Sequence, residues 1–549
     1  MAEYLSPGVF IEESTSGPRP IEGVSTTTAA FVGFAPSGPA NTPVFIANWQ
    51  QFVDTFGTID ASGRKTPFME GAYLAQSVYA YFNNGGTRCY VVRLVPGEVT
   101  SGKKTVEAAR SLQLPSRASS AVPSLNIVAR GGVQSDVIVE ILPATPEAKP
   151  DAPQGNQGKG KDAKGNDAKD ADSGEGDGLF TMKVTRDGQT ERFENVSIGK
   201  RHPRNVTEVL TKESTLITIE EVTGAGPLAE RVPEVGTYVL QAATNVLTSG
   251  GEMNNQDFVG STDGRSGIES LEIAEEVAMI AVPDLMGAYQ RGLLDLDGVK
   301  AVQRALIDHC ERNANRMAIL DTPPDLTPQQ VVKWRNVDTN FDSSYAAMYY
   351  PWVTIAGPDG RPMTVPPSGF VAGIYARTDI ERGVHKAPAN ELVNGILRPA
   401  LQISKSEQDI LNPIGVNCIR EFPGMGVRVW GARTLSSDAR WRYVPVRRLF
   451  NFVEQSINRG TQWAVFEPND ENLWFRVRRD ITNFLTGVWR DGALFGNTAR
   501  EAFYVKCDAE LNPADLRDRG IMQIEVALAP VKPAEFIVIR FSQHAGGGE

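Results

Sequence analysis

Apolar and polar positions alternate in short bursts, and the first and last bursts lie at the two ends of the chain. Val9-Phe10-Ile11 is a β-type run that follows Ser6-Pro7-Gly8 and gives way to Ser, Gly and Pro as far as Pro20. At the other end, Glu535-Phe-Ile-Val-Ile-Arg-Phe-Ser reads as a strand reached through Pro530 and Pro533, with a loose tail from Ala545 to Glu549. A lone strand at each end must find a sheet, and the pattern leaves open whether that sheet is its own or a neighbour's.

Between these ends, Ala29-Ala-Phe-Val-Gly-Phe-Ala and Arg88-Cys-Tyr-Val-Val-Arg-Leu-Val read as buried strands. A helix is expected from Pro67 to Phe82, with Phe68, Ala72, Tyr79 and Phe82 near helical spacing and Asn83-Asn-Gly-Gly as its stop. The texture then becomes β-rich. Leu125-Asn-Ile-Val, Asp136-Val-Ile-Val-Glu-Ile, Phe180-Thr-Met-Lys-Val and Leu216-Ile-Thr-Ile are strand-like, and Asp187-Gly188 marks a hairpin turn. Inside this part, residues 144–178 carry Lys, Asp, Gly, Ala and Pro with almost no apolar content, which predicts a disordered loop. Asp170, Asp172 and Asp177 within it fail the spacing of a calcium loop.

An α/β pattern follows: strand Met279–Asp284, helix Asp297–Asn313, strand Arg316–Asp321, a helix opening over Pro328–Arg335, and strand Ala346–Val353. That order predicts a mostly parallel sheet. Beyond Asn412 come two amphipathic helices. Val446, Leu449, Phe450, Val453 and Ile457 make one apolar stripe, which Gly460 is expected to close; Trp474, Val477, Ile481, Phe484, Leu485 and Val488 make the other. Arg447, Arg448, Arg476, Arg478, Arg479 and Arg490 fall on the opposite faces. One sign of charge on those faces, in a chain of net charge −11, points to a partner surface.

The length of 549 residues implies three or four domains. No apolar run is long enough to cross a bilayer, and the N-terminus lacks the basic and apolar regions of a signal peptide, so synthesis in the cytoplasm is expected. The acidic balance argues against a nucleic-acid coat. Cys89, Cys310, Cys418 and Cys507 are far apart and read as buried free thiols.

Catalytic constellations are missing. The histidines are His202, His309, His385 and His544; His309 lies in a helix beside Cys310 and needs no catalytic role. There is no nucleophile elbow, metal-ligand spacing or P-loop. Gly424-Met-Gly426 lacks the third glycine of a dinucleotide turn, and the glycine-rich Gly260–Gly267 stretch lacks a lysine. No catalytic, cofactor or metal residue is assigned.

Several stretches resemble the contractile tail sheath family. They include Tyr4-Leu-Ser-Pro-Gly-Val-Phe-Ile-Glu-Glu, Ala30-Phe-Val-Gly-Phe-Ala, Phe52-Val-Asp-Thr-Phe-Gly and Asn83-Asn-Gly-Gly-Thr-Arg-Cys-Tyr-Val-Val-Arg. Similarity is densest from Tyr345 to Gln543, through Tyr349-Tyr-Pro-Trp, Lys386-Ala-Pro-Ala-Asn-Glu, Leu411-Asn-Pro-Ile-Gly-Val-Asn-Cys-Ile-Arg, Val429-Trp-Gly-Ala-Arg-Thr-Leu, Phe466-Glu-Pro-Asn-Asp-Glu and Pro530-Val-Lys-Pro-Ala-Glu-Phe.

The resemblance implies a multidomain α/β fold whose middle region is similar to subtilisin without its activity. Pro367-Ser-Gly-Phe-Val-Ala-Gly resembles the protease's serine-bearing helix, and alignment on Val-Ala-Gly puts Val365 at the nucleophile position. The expected organisation is an arm over 1–22, a first core part over 23–98, an inserted β-rich outer domain over 99–246, an α/β middle domain over 247–410, a C-terminal domain over 411–528, and an arm and tail over 529–549. The resemblance further implies a non-enzymatic subunit of a contractile injection particle. Its partners would be itself, in stacked, hexameric rings joined by strand exchange, an inner tube protein, and baseplate and terminal cap proteins, without nucleic acid or membrane insertion. Val9, Phe10, Ile11, Phe536, Ile537, Val538 and Ile539 are the expected intersubunit arms, and Arg476, Arg479 and Arg490 the expected tube-facing residues. The sheath of an ordinary phage virion is the alternative, and an α/β hydrolase a remote one.

Overall fold

The computed structural model describes residues 20–59, 64–95, 111–117, 119–129, 137–144, 179–186, 189–199, 202–221, 231–240 and 253–539. Val9, Phe10 and Ile11 lie outside them, as do residues 145–178 of the expected loop.

A nine-stranded sheet forms the centre. From edge to edge its strands are Glu391–Leu392, Gly426–Trp430, Val416–Phe422, Ala346–Tyr350, Met317–Asp321, Met279–Ala281, Ala29–Gly33, Cys89–Arg93 and Val44–Ile46. The six from Val416–Phe422 to Cys89–Arg93 run parallel, and the outer strands are antiparallel. Ala29–Gly33, Met317–Asp321 and Ala346–Tyr350 are buried at every position. Such continuous apolar runs are what a parallel sheet covered on both faces requires.

The mostly parallel sheet expected after residue 279 is therefore present, but wider. Ala29–Gly33 pairs directly with Met279–Ala281, so the first core part and the middle region share one sheet. Val416–Phe422 pairs with Ala346–Tyr350, which puts the boundary drawn at 410/411 inside that sheet's core. The helix expected over 67–82 starts only at Leu74 and runs to Asn83. Gly71 takes a φ of 69°, and the Tyr73 N–H is held by the Asp284 carboxylate, so the chain turns before it can coil. Phe68 and Ala72 lie on that loop, and Tyr79 faces outward.

The chain leaves the sheet after Cys89–Arg93 and rejoins it at Met279–Ala281. Two antiparallel sheets lie between. One has the order Gln189–Ser197, Leu179–Arg186, Val137–Pro143, Gly236–Leu240; the other has Ile217–Glu221, Ser119–Ala129, Ser111–Ser116. They enclose their own core, including Leu125, Ile127, Val139, Phe180, Val184 and Leu210. Arg186 and Gln189 pair across the hairpin, as the Asp187-Gly188 signal predicts.

A third core gathers the C-terminal part. Helices Val444–Thr461 and Glu471–Arg490 pack Leu449, Val453, Trp474, Val477, Ile481 and Leu485 against the hairpin of Phe503–Lys506 and Glu525–Leu528. Phe450, Ile457 and Phe484 are half-buried. Gly460 does not close the first helix, which continues to Thr461 and into a 3-10 turn at Gln462–Ala464. It is instead a contact point: a Cβ there would lie 2.6 Å from Ile21. Arg447 and Arg448 are not on a solvated face. Both are buried, because the first turn of this helix is enclosed by the sheet domain on the side opposite its apolar stripe. All four cysteines are buried and unpaired.

Candidate assembly interface at the arm roots

The segment that leads back to the N-terminus lies across the junction of the sheet domain and the C-terminal helices. Ile21 is buried in the third core, and the Val24 N–H donates to Ser456 Oγ at 3.1 Å. Two residues on, the Thr26 hydroxyl donates to Asp379 Oδ2 at 2.5 Å. Asp379 sits on helix Ser368–Arg382 and takes a bidentate pair from Arg448, at 2.8 and 2.6 Å. The same guanidinium donates to the Thr26 carbonyl at 2.9 Å and lies 4.7 Å from the Tyr375 ring. Both charged side chains are 3% exposed. Planar guanidinium against carboxylate is the strong form of this bond, and here it joins three segments: the N-terminal lead, the sheet domain and the C-terminal helix. Arg447 points elsewhere, 4.3 Å from the Trp441 ring and 4.7 Å from Tyr345.

The other end of the chain is held by the same chemistry. Arg433 donates from Nε and Nη2 to Glu535 at 2.9 and 2.6 Å; Asn412 Nδ2 donates to the same carboxylate at 2.7 Å and Tyr443 at 3.1 Å. Burial works against the charged Glu535, but these donors win and hold its carboxyl below the ordinary carboxylate range. Immediately beyond it the chain stops making such contacts. Phe536, Ile537, Val538 and Ile539 lie in no strand and are 69–83% exposed. The hairpin of Phe503–Lys506 and Glu525–Leu528 is a two-stranded sheet with nothing added to either outer edge among the described residues.

The expected tube-facing arginines share helix Glu471–Arg490, yet two are engaged within the chain. Arg476 pairs with Glu467 at 3.0 Å over the Trp463 ring, Arg479 with Asp480 at 3.0 Å, and Arg490 is exposed in the last turn. At the position compared with a protease nucleophile, Val365 is buried. The neighbouring Ser368 hydroxyl donates to Asp321 Oδ2 at 2.6 Å, both side chains being buried, and burial pushes the Asp321 carboxyl up to about 7. His309 is committed elsewhere, between Glu269 and Arg316.

Sequence reasoning did not single out Thr26, Asp379, Arg448, Arg433 or Glu535 as a group. One signal was available for Glu535: a lone acid placed directly before four apolar residues on a proline-rich lead.

Two family models match in succession, "Phage tail sheath protein central domain" over residues 273–435 and "Phage tail sheath C-terminal domain" over residues 436–544. The chain belongs to the tail sheath family. The junction of the two sheath models at 435/436 falls where the central sheet ends and the helical C-terminal part begins, eight residues before Val444. Among curated sheath relatives, the tail sheath protein of Vibrio phage KVP40 is 29% identical over 39% of this chain and 31% of its own length. A putative prophage major tail sheath protein of Pseudomonas aeruginosa is 30% identical over 43% of this chain. The sheath chain spans 31% and 60% of the lengths of these two relatives. Its fold matches the contracted helical sheath of the anti-feeding prophage with a TM-score of 0.56, at 23% identity, over 98% of this chain and 99% of that one. The contracted sheath complex of the extracellular contractile injection system PVC gives 0.54 at 22% identity, over 99% of both.

Proposed function

We propose that this chain is the sheath subunit of a contractile injection system, that it polymerises around an inner tube, and that its contraction drives the tube through a target envelope. Its subunits are linked by strand addition: Val9–Ile11 and Phe536–Ile539 join the open edges of the hairpin Phe503–Lys506/Glu525–Leu528 on neighbouring copies. The observation that carries this reading is the Phe536–Ile539 segment, four consecutive apolar residues left exposed and in no strand among the described residues, in a chain whose C-terminal hairpin is only two strands wide. Isolated apolar strands and two-stranded sheets are both unsatisfied states, and pairing them between copies resolves both. The middle region is an inactive relative of the subtilisin fold, consistent with Val365 at the nucleophile position. Helix Glu471–Arg490 faces the tube, with Arg490 as its exposed charge and Arg476 and Arg479 released from their partners when the tube is present.

Negative-stain microscopy of purified protein lacking residues 1–20 or 536–549 tests the reading. A folded, soluble protein that forms no tubes is expected; normal tubes would overturn the role of the arms. The likeness in overall architecture to the anti-feeding prophage and PVC sheaths supports an injection particle. The second reading, the tail of a phage virion, is supported by the phage relatives, and recovery of particles carrying capsids from the producing cells would favour it.

A further inference from the structure

The two arm roots are far apart in sequence, but the polar contacts behind them lead to neighbouring residues of one strand. From Glu535, the contacts run to Arg433, whose backbone N–H donates to Asn417 Oδ1 at 2.7 Å and whose carbonyl accepts from Asn417 Nδ2 at 2.8 Å. Asn417 Nδ2 also donates to the carbonyl of Met348 at 3.2 Å. From Thr26, the contacts run through Asp379 and Arg448 to the Tyr375 ring, and the Tyr375 hydroxyl is 2.6 Å from that of Tyr349. Met348 and Tyr349 are consecutive in Ala346–Tyr350, which is buried throughout and paired in parallel on both sides.

We infer that the two arginine clamps, Arg448–Asp379 and Arg433–Glu535, anchor both arms to the central strand Ala346–Tyr350, so that pull on one arm reaches the other through the sheet. This rests on the reading of the arms as links between subunits. Without the clamps, the roots are held by few backbone hydrogen bonds: the Val24 N–H to Ser456 Oγ on one side, and on the other the Ala529 N–H to the Ala502 carbonyl, the Phe495 N–H to the Ala529 carbonyl and the Val531 N–H to the Ala493 carbonyl. Segments held by so few bonds open locally at small cost, whereas a buried central strand opens only with the whole domain. A sheath whose arms peeled from their own subunits under tension would transmit none of it. Bidentate ion pairs resist peeling because both bonds must stretch together.

The test uses the full chain with Glu535→Gln and Thr26→Val, singly and together, and Thr26→Ser as the conservative control. Thr26→Val leaves the buried ion pair intact, so the fold is retained. In unassembled protein, amide exchange over 529–535 should rise at least about tenfold in Glu535→Gln, and over 21–28 in Thr26→Val, with the thermal midpoint nearly unmoved. Thr26→Ser should restore the slow exchange. Tubes of the double variant should form but shed subunits at lower guanidinium than wild-type tubes. Unchanged exchange at both roots, or tubes as resistant as wild type, would overturn the anchoring. Normal tubes from protein lacking residues 536–549 would instead overturn the arms as connectors, whatever the exchange result.

Discussion

The two arm roots use the same pair of side-chain types at different depths. At the N-terminal root, Arg448 and Asp379 are each 3% exposed, and the lead they hold is itself part of a core through Ile21. At the C-terminal root, Arg433 and Glu535 are 10% and 20% exposed, and the glutamate stands on a segment with no core residue of its own beyond Leu528. The first clamp is thus bound up with folding: taking either charge away strands the other out of water. The second is a latch added to a finished surface, and it can open while the body stays folded. Depth, not geometry, separates a residue that the fold requires from one that only positions the chain.

Breaking the deep clamp should have the largest effect. Asp379→Ala leaves Arg448 buried without its partner and is expected to cost about 3–5 kcal/mol, read as a fall in the unfolding midpoint of the unassembled protein. Next comes Gly460→Val, which forces a side chain into the position of Ile21. A cost of about 1–3 kcal/mol is expected, together with faster exchange over 21–28.

Solution pH sharpens the comparison by changing the body and not the latch. Burial pushes the carboxyls of Asp284 and Asp321 up to about 7, so in the folded chain they keep a proton that the unfolded chain gives up near 4. Their stabilising contribution is complete below about pH 4 and is lost as pH rises through about 7. Each should subtract about 1.4 kcal/mol per pH unit between those limits. Thermal unfolding at pH 5, 6, 7 and 8 should show the midpoint falling up to about pH 7 and levelling beyond, and Asp321→Asn should remove part of that slope. Glu535 behaves oppositely: its depressed carboxyl keeps the latch closed until the solution is more acidic than the ordinary carboxylate range. The smallest effect is expected from Glu535→Ala, below about 1 kcal/mol on the unfolding midpoint because the pair is partly exposed. A drop as large as that of Asp379→Ala would erase the distinction between the roots.

The strands of the sheet were legible because burial on both faces demands unbroken apolar runs, as in Ala29–Gly33 and Met317–Asp321. The helix stripes were legible for the same reason at a different period. What failed depended on partners distant in sequence. Arg448 meets an acid 69 residues away, so it read as part of a partner-facing charged surface, and Arg433 meets one 102 residues away, so nothing local marked it as a clamp. The start of the helix at Leu74 is set by Asp284, 211 residues from Tyr73. Strand pairing of Val416–Phe422 with Ala346–Tyr350 likewise placed a boundary that local composition had put elsewhere.

Where the β-rich part departs from the sheet also has a consequence. Cys89–Arg93 and Met279–Ala281 flank Ala29–Gly33 and run parallel to it, so any chain joining them must travel back along the sheet's length. The short helix Asn255–Val259 and the 3-10 turn Ile268–Ile273 lie on this connection just before Met279–Ala281 and pack on the sheet's core through Phe258, Ile268 and Leu271. Topologically, the β-rich part is an overgrown crossover connection. It can therefore lengthen, shrink or be exchanged for foreign sequence over evolutionary time without moving one rung of the sheet.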